Sequence, residues 1–332
     1  MLNDKSARSW IAALALITGS AWAQAEDAAA AETAAPAIAG VVAAGTPIKL
    51  IKEGFNGTEG PIALPDGSLI FTETTASRIT KISADGSIST FLENTNGSNG
   101  LAFNAKGDLI SVQVQNTRVG IIYPENHAKV LAENYEGTPF VRPNDLVVDK
   151  KGGVYFTDSG TAPRPDAAAG TSAAPAPTPR PAVYHITPEG KLERIAIDIE
   201  RPNGIQLSRD EKVLYVANTG GEYVLAYDIN ADGSIGKRRN FAKLEGFRTT
   251  ETGPTSGADG LAVDAEGRVY VASLLGLQIF DSAGKALGII PLPKQPQNLA
   301  FAGADKKTLY IVGRGSAYKI ATLTAGFKGR AK

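Results

Sequence analysis

The sequence predicts an all-β chain folded as a six-bladed β-propeller. Three observations carry this: one phrase recurs six times, its copies lie about one blade apart, and no convincing helical period follows the N-terminal segment. Each copy is a residue with a side-chain oxygen, an apolar strand, a turn and a second apolar strand. The copies read EGPIALPDGSLIFTE from Glu59, NGLAFNAKGDLISV from Asn99 and NDLVVDKKGGVYFTD from Asn144. They continue as NGIQLSRDEKVLYVAN from Asn203, DGLAVDAEGRVYVAS from Asp259 and NLAFAGADKKTLYIV from Asn298.

The lead residues are separated by 40, 45, 59, 56 and 39 positions, and a four-stranded blade takes roughly 40–50 residues. The two long intervals hold visible insertions. An Ala/Pro loop occupies about 161–181, and a polar loop, RTTETGPTSG, lies between Phe247 and Ala258. Val154-Tyr155-Phe156-Thr157, Val213-Leu214-Tyr215-Val216 and Val269-Tyr270-Val271 are β-branched or aromatic strand runs. Asp66-Gly67, Lys106-Gly107, Gly152-Gly153 and Glu266-Gly267 are hairpin signals between first and second strands. Asp85-Gly86, Glu189-Gly190, Asp232-Gly233 and Ala283-Gly284 fit the link from third to fourth. Either the segment Pro47 to Phe55 or the strand Tyr318 to Leu323 completes a blade from the other end of the chain and closes the ring.

The N-terminus reads as an export signal over residues 1–23. Lys5 and Arg8 precede the apolar run Trp10 to Ile17, and Ala21-Trp22-Ala23 is an A-x-A cleavage site. A periplasmic or secreted protein is expected, with no membrane anchor after cleavage. Residues 24–45, rich in Ala with Pro and a few acids, read as a tether, and the propeller is expected over 46–325. The 332 residues carry 34 basic and 34 acidic side chains and no cysteine. No basic patch points to nucleic acid, and Cys-based catalysis or zinc binding is excluded. A monomer acting on a small molecule is expected.

In a propeller, the loops entering the innermost strands gather at one mouth of the central channel. Glu59, Asn99, Asn144, Asn203, Asp259 and Asn298 therefore form a ring of oxygens. Two carboxylates among amide oxygens suit one hard divalent cation, Ca²⁺ above all. Any single Asn-Gly or Asp-Gly copy reads more readily as a turn, but all six keep a side-chain oxygen, and Glu59 is a poor turn former. His127 and His185 start no inner strand, and no G-x-S-x-G elbow is present. Asp158 and Asn218 end second strands, where a turn role is expected.

The phrases EGP (59–61), RPND (142–145), PNG (202–204) and ADG (258–260) resemble, in order and spacing, the senescence marker protein (regucalcin)/gluconolactonase-like lactonases. The resemblance spans about residues 50–320. It implies a propeller lactonase with one divalent metal, usually Ca²⁺ and sometimes Zn²⁺ or Mn²⁺. Carried over by motif, Glu59, Asn203 and Asp259 are metal ligands, and Asn144 is a ligand or a substrate contact. Arg142 orients substrate, and Asp259 is also the general base. Asn99 and Asn298 neighbour these in the ring. Ile62 and Ala63 after EGP, and the Ala/Pro insertion after Thr157-Asp158-Ser159-Gly160, depart from the family pattern and bear on substrate identity. The alternative is a non-catalytic periplasmic propeller that binds a ligand or a protein.

Overall fold

Each lead residue stands at or just before a short strand that is almost wholly buried. In chain order these are Thr58–Ala63, Ser98–Phe103, Pro143–Val148, Pro202–Leu207, Leu261–Val263 and Asn298–Ala302. The computed structural model describes residues 33–160, 181–231 and 233–332. Each of the six strands is the first of a four-stranded antiparallel sheet, and each touches its two neighbours around a closed ring. They are thus the inner strands of a six-bladed propeller. Outer strands such as Ile88–Leu92 and Ala286–Ile290 are largely exposed or half-buried. The expected export signal and the Ala/Pro insertion over 161–180 lie outside the described residues.

Turn chemistry sets the hairpins. Asp66 accepts the Ser68 N–H at 2.9 Å, and Gly67 takes φ +82°, which only glycine adopts without strain. Six apolar clusters fill the six interfaces between adjacent blades. Large side chains with almost no exposure, such as Ile62, Phe71, Phe156, Tyr270 and Phe301, fill them, each worth about 1.5–3 kcal/mol of apolar burial. The strand Lys49–Glu53 pairs with Ser316–Ala321 and becomes the outer strand of the sixth blade, so the ring closes as expected.

Two boundaries differ from the sequence expectation. The second half of the expected tether is packed. Ala35, Ile38, Val41 and Val42 are buried with Tyr270, Leu277, Phe301 and Leu309 between blades five and six. Alanine-rich composition hid three aliphatic side chains at a spacing that fills this cleft. The fold also continues past residue 325. The Phe327 N–H donates to Val263 O at 3.0 Å, Arg330 Nη2 to Leu207 O at 2.6 Å, and the Ala63 N–H to Ala331 O at 2.8 Å. Residues 326–332 thus cross the far ends of the inner strands. The polar loop after Phe247 contains a small ribbon, Arg248–Thr250 paired with Gly253–Thr255, and a second ribbon pairs Asn134–Tyr135 with Thr138–Pro139. Among the described residues the only helix is a short 3₁₀ turn, Glu125–His127, and none is long and apolar enough to cross a membrane.

Candidate active site

In blades one to four the strand register shifts at the lead residue, between Glu59 and Ile62, Ser98 and Leu101, Pro143 and Leu146, and Pro202 and Ile205. A bulge there bends the inner strand and re-aims the lead side chain. The glycine that follows has a packing reason rather than a turn reason. A Cβ at Gly204 would lie 2.2 Å from Asp259 O, and one at Gly60 would lie 2.0 Å from Asn99 O. Where a glycine follows the lead residue, at Gly60, Gly100, Gly204 and Gly260, it is bare so that the next blade's lead residue can approach.

The ring is not uniform. Asn99 Nδ2 donates to Asn144 O at 2.8 Å, and its Oδ1 accepts from Thr74 Oγ1 at 3.0 Å. Asn298 Oδ1 accepts its own neighbour's N–H, from Leu299, at 2.9 Å, and its Nδ2 donates to Glu59 Oε2 at 3.2 Å. Both oxygens are engaged, so these two residues brace the ring. The other four differ. Asn203 Nδ2 donates to Thr219 Oγ1 at 3.0 Å, while Asn203 Oδ1 is buried without a partner. Asp259 Oδ1 is likewise buried and unpartnered. Among the described residues Glu59 receives two long side-chain amide contacts, from Asn298 and from Gln297 Nε2 at 3.3 Å, and a weak contribution from the Gly60 N–H. The Asn144 side chain makes no hydrogen bond among the described residues.

The electrostatics follow from burial. Desolvation pushes the Glu59 carboxyl up to about 7; the Asp145 charge adds to this, while the Asn298 hydrogen bond and Lys332 oppose it. Asp259 is held well above the ordinary carboxylate range by burial first, then by the charges of Glu59 and Asp145, with Arg201 and Lys332 opposing. Buried carboxylates side by side, with vacant lone pairs, are what a cation relieves. Among the described residues no three His, Cys, Asp or Glu side chains form a metal cluster. The donor set that fits a hard cation is therefore mixed: Glu59, Asp259, Asn203 and Asn144.

Three residues at the channel were not picked out from the sequence. Asp145, fully buried beside Asn144, is ion-paired with the buried Lys332 ammonium. Arg201 feels the charges of both Arg142 and Asp259. The RPN that Arg201 shares with Arg142 was the available signal for it; nothing local announced the pairing of residues 145 and 332. Arg142 is anchored through its main chain, its N–H donating to Asp158 Oδ1 at 2.7 Å. Asp158 also accepts from the Val141 and Gly160 N–H groups, the turn role expected of it. His127 bonds Asp108 at 2.6 Å on the second blade, and His185 stacks on Tyr155 at 4.1 Å within a buried strand. Neither belongs to the ring.

The sequence pattern described as SMP-30/Gluconolactonase/LRE-like region matches residues 57–314. The chain belongs to this family. A gluconolactonase of Zymomonas mobilis is 28% identical to this family member over 313 residues, 88% of this chain and 85% of that protein. The solved structure of a gluconolactonase from Xanthomonas campestris superposes with a TM-score of 0.72 at 26% identity, covering 88% of this chain and 97% of that one. A calcium-binding regucalcin from Agrobacterium tumefaciens shares the fold at a TM-score of 0.67 and 18% identity, covering 85% and 95%.

Proposed function

We propose that the protein is a metal-dependent lactonase whose general base is Asp259. Membership of the gluconolactonase family makes lactone hydrolysis its chemistry. The observation that carries the finer reading is the pair of buried, unpartnered oxygens on Asn203 and Asp259 beside Glu59. A divalent cation, Ca²⁺ by the hardness of the donors, would be held by Glu59, Asn203, Asp259 and Asn144. When bound it supplies Lewis-acid polarisation of the lactone carbonyl and charge for the developing oxyanion.

The remaining steps belong to the chain. Arg142 and Asn144 orient the lactone. Asp259, as the carboxylate, takes a proton from water as the water oxygen bonds to the carbonyl carbon. The ring C–O bond then breaks, and the proton passes to the departing alkoxide. An aspartate displaced upward toward neutrality by burial is a better base than a solvated one. Residues 1–23 are proposed to direct export, so that the reaction takes place outside the cytoplasm.

The test is acid release from a panel of lactones, with and without chelator, by wild type and Asp259→Ala. Chelator-sensitive turnover that Asp259→Ala abolishes is expected. Turnover that survives both treatments would overturn the reading, and no turnover on any lactone would favour the ligand-binding propeller.

A further inference from the structure

The tripeptide Arg-Pro-Asn occurs at the lead positions of two adjacent blades, as Arg142-Pro143-Asn144 and Arg201-Pro202-Asn203. The fold holds both copies in the same way. Pro143 pairs with Asp158, and Pro202 pairs with Asn218, each at the end of a second strand. The Arg142 N–H donates to Asp158 Oδ1 at 2.7 Å, and the Arg201 N–H donates to Asn218 Oδ1 at 3.2 Å. The Arg142 carbonyl accepts the Ser159 N–H at 3.1 Å, and the Arg201 carbonyl accepts the Thr219 N–H at 3.0 Å. Two arginines thus rise from equivalent points on neighbouring blades, one residue before a proline that fixes the backbone and two before the ring asparagine.

Neither guanidinium makes a hydrogen bond or an ion pair among the described residues. Arg201 is half-buried and Arg142 is exposed at the same mouth, and the two charges stand close enough for Arg142 to repel Arg201. Other part-buried arginines among the described residues have partners: Arg78 with Glu73, Arg268 with Asp264 and Arg330 with Glu211 as ion pairs, and Arg118 with the Gln113 amide oxygen. Asp259 lies within range of the Arg201 charge but forms no ion pair with it. Two unanswered forks with five N–H donors each, beside the reacting centre, call for an oxyanion from outside.

We propose that Arg142 and Arg201 together bind an anionic oxygen group carried by the lactone, a carboxylate or a phosphate monoester, and that the preferred substrate is accordingly an anionic sugar-acid lactone. This rests on the lactonase reading and adds the substrate class. Arg142 is the residue the family pattern indicates; Arg201 is the specificity determinant the second blade adds. The pair also sets the orientation, because the anion at blades three and four leaves the ester to face Asp259 at blade five.

The experiment compares wild type, Arg201→Gln and Arg201→Lys on three lactones: neutral glucono-δ-lactone, its phosphate monoester on the exocyclic hydroxyl, and glucaro-γ-lactone, which bears a carboxylate. Wild type is expected to favour at least one charged lactone. Arg201→Gln should lower kcat/KM for that lactone at least tenfold more than for the neutral one, through KM, because any effect of the lost charge on Asp259 is common to both. Arg201→Lys should restore part of the loss, since it keeps the charge without the fork. The charged lactone that responds identifies the anion. Calorimetric binding of the open-chain dianion glucarate and of phosphate provides a readout without turnover, and should weaken at least tenfold in Arg201→Gln. Equal losses on charged and neutral lactones, or unchanged anion binding, would overturn the proposal. If wild type hydrolysed no lactone yet bound anions through Arg201, the lactonase reading alone would fall. Because the Arg201 guanidinium holds no partner and is repelled by Arg142, the melting temperature of Arg201→Gln should be level with wild type or above it.

Discussion

Glu59 and Glu73 belong to the same blade, stand on adjacent paired strands and are both buried, yet they are treated in opposite ways. Glu73 accepts from the Asn56 N–H at 2.8 Å, from Arg78 Nε and Nη2 at 2.8 and 2.9 Å, and from Thr80 Oγ1 at 2.6 Å. Burial would raise it, but these bonds outweigh desolvation and hold it below the usual range. Glu59 has two long amide contacts and no ion pair, and burial carries it up. The same division holds around the molecule. Residues that end second strands, Glu73, Asp158 and Asn218, each accept a main-chain N–H from the loop that enters the inner strand. Residues that lead the inner strands are, in part, left wanting. A propeller builds its scaffold from the first ring and its chemistry from the second. A buried carboxylate is read by how many of its lone pairs are occupied, not by its burial.

The sharpest way to break this contrast is to exchange the roles. Asp259→Asn should lower kcat by about 10³-fold, the scale of a lost general base, and leave the metal-free melting temperature level or higher, because it removes a repulsive buried charge. A melting temperature that dropped as it does for a scaffold acid would erase the distinction. Glu73→Gln should do the reverse: a loss of about 3 kcal/mol in stability, as for a broken buried pair, with kcat unchanged, measured by denaturant melts and steady-state rates.

Acid and base should separate the two rings again. Glu59 and Asp259 have raised folded-state pKa values. In chelator, the stability they contribute is present below the ordinary carboxylate range and is lost as pH rises, for Glu59 through about 7. Added Ca²⁺ should restore it. Glu73 is displaced downward, so its contribution is present above the ordinary range and is lost as pH falls, and Glu73→Gln should flatten only that acid limb. Melting curves between about pH 4 and pH 8, with and without Ca²⁺, would show one limb responding to metal and the other indifferent to it.

The smallest effect lies within the ring. Asn99→Ala should cost about 1 kcal/mol in stability through its lost hydrogen bonds and leave cation affinity unchanged. Asn203→Ala should weaken the cation several-fold by calorimetry. Equal effects on affinity would mean that the occupied and vacant oxygens are equivalent after all.

The sequence makes the ring positions legible because strand alternation and turn residues have fixed periods, and six copies multiply a weak local signal. It does not show which oxygens are free. That depends on Thr74, Thr219, Leu299 and Gln297, none of which is near its partner in a recognisable pattern except Leu299. The glycine after Glu59, Asn99, Asn203 and Asp259 is visible but reads as a turn residue until a neighbouring main chain is found about where its Cβ would be, as at Gly60, where Asn99 O would lie 2.0 Å away. Ile38, Val41 and Val42 vanish into an alanine-rich average, although they fill a cleft between blades. Lys332 and Asp145 meet only because residues 326–332 fold back across the inner strands.

The join between Lys49–Glu53 and Ser316–Ala321 has a temporal consequence. As the chain emerges in order, the early strand must wait unpaired until Ser316–Ala321 has followed it. Until then the half-made ring leaves the apolar faces of its end blades open, a hazard that the closed circle removes only at its last step. Blades one to five, each built from consecutive strands, can form in order as they emerge. The sixth must draw on the early strand, so that last pairing sets when the ring is complete. A circular permutant opened between Leu92 and Ser98 would make every blade from consecutive strands, so no strand would wait for a partner at the opposite end of the chain.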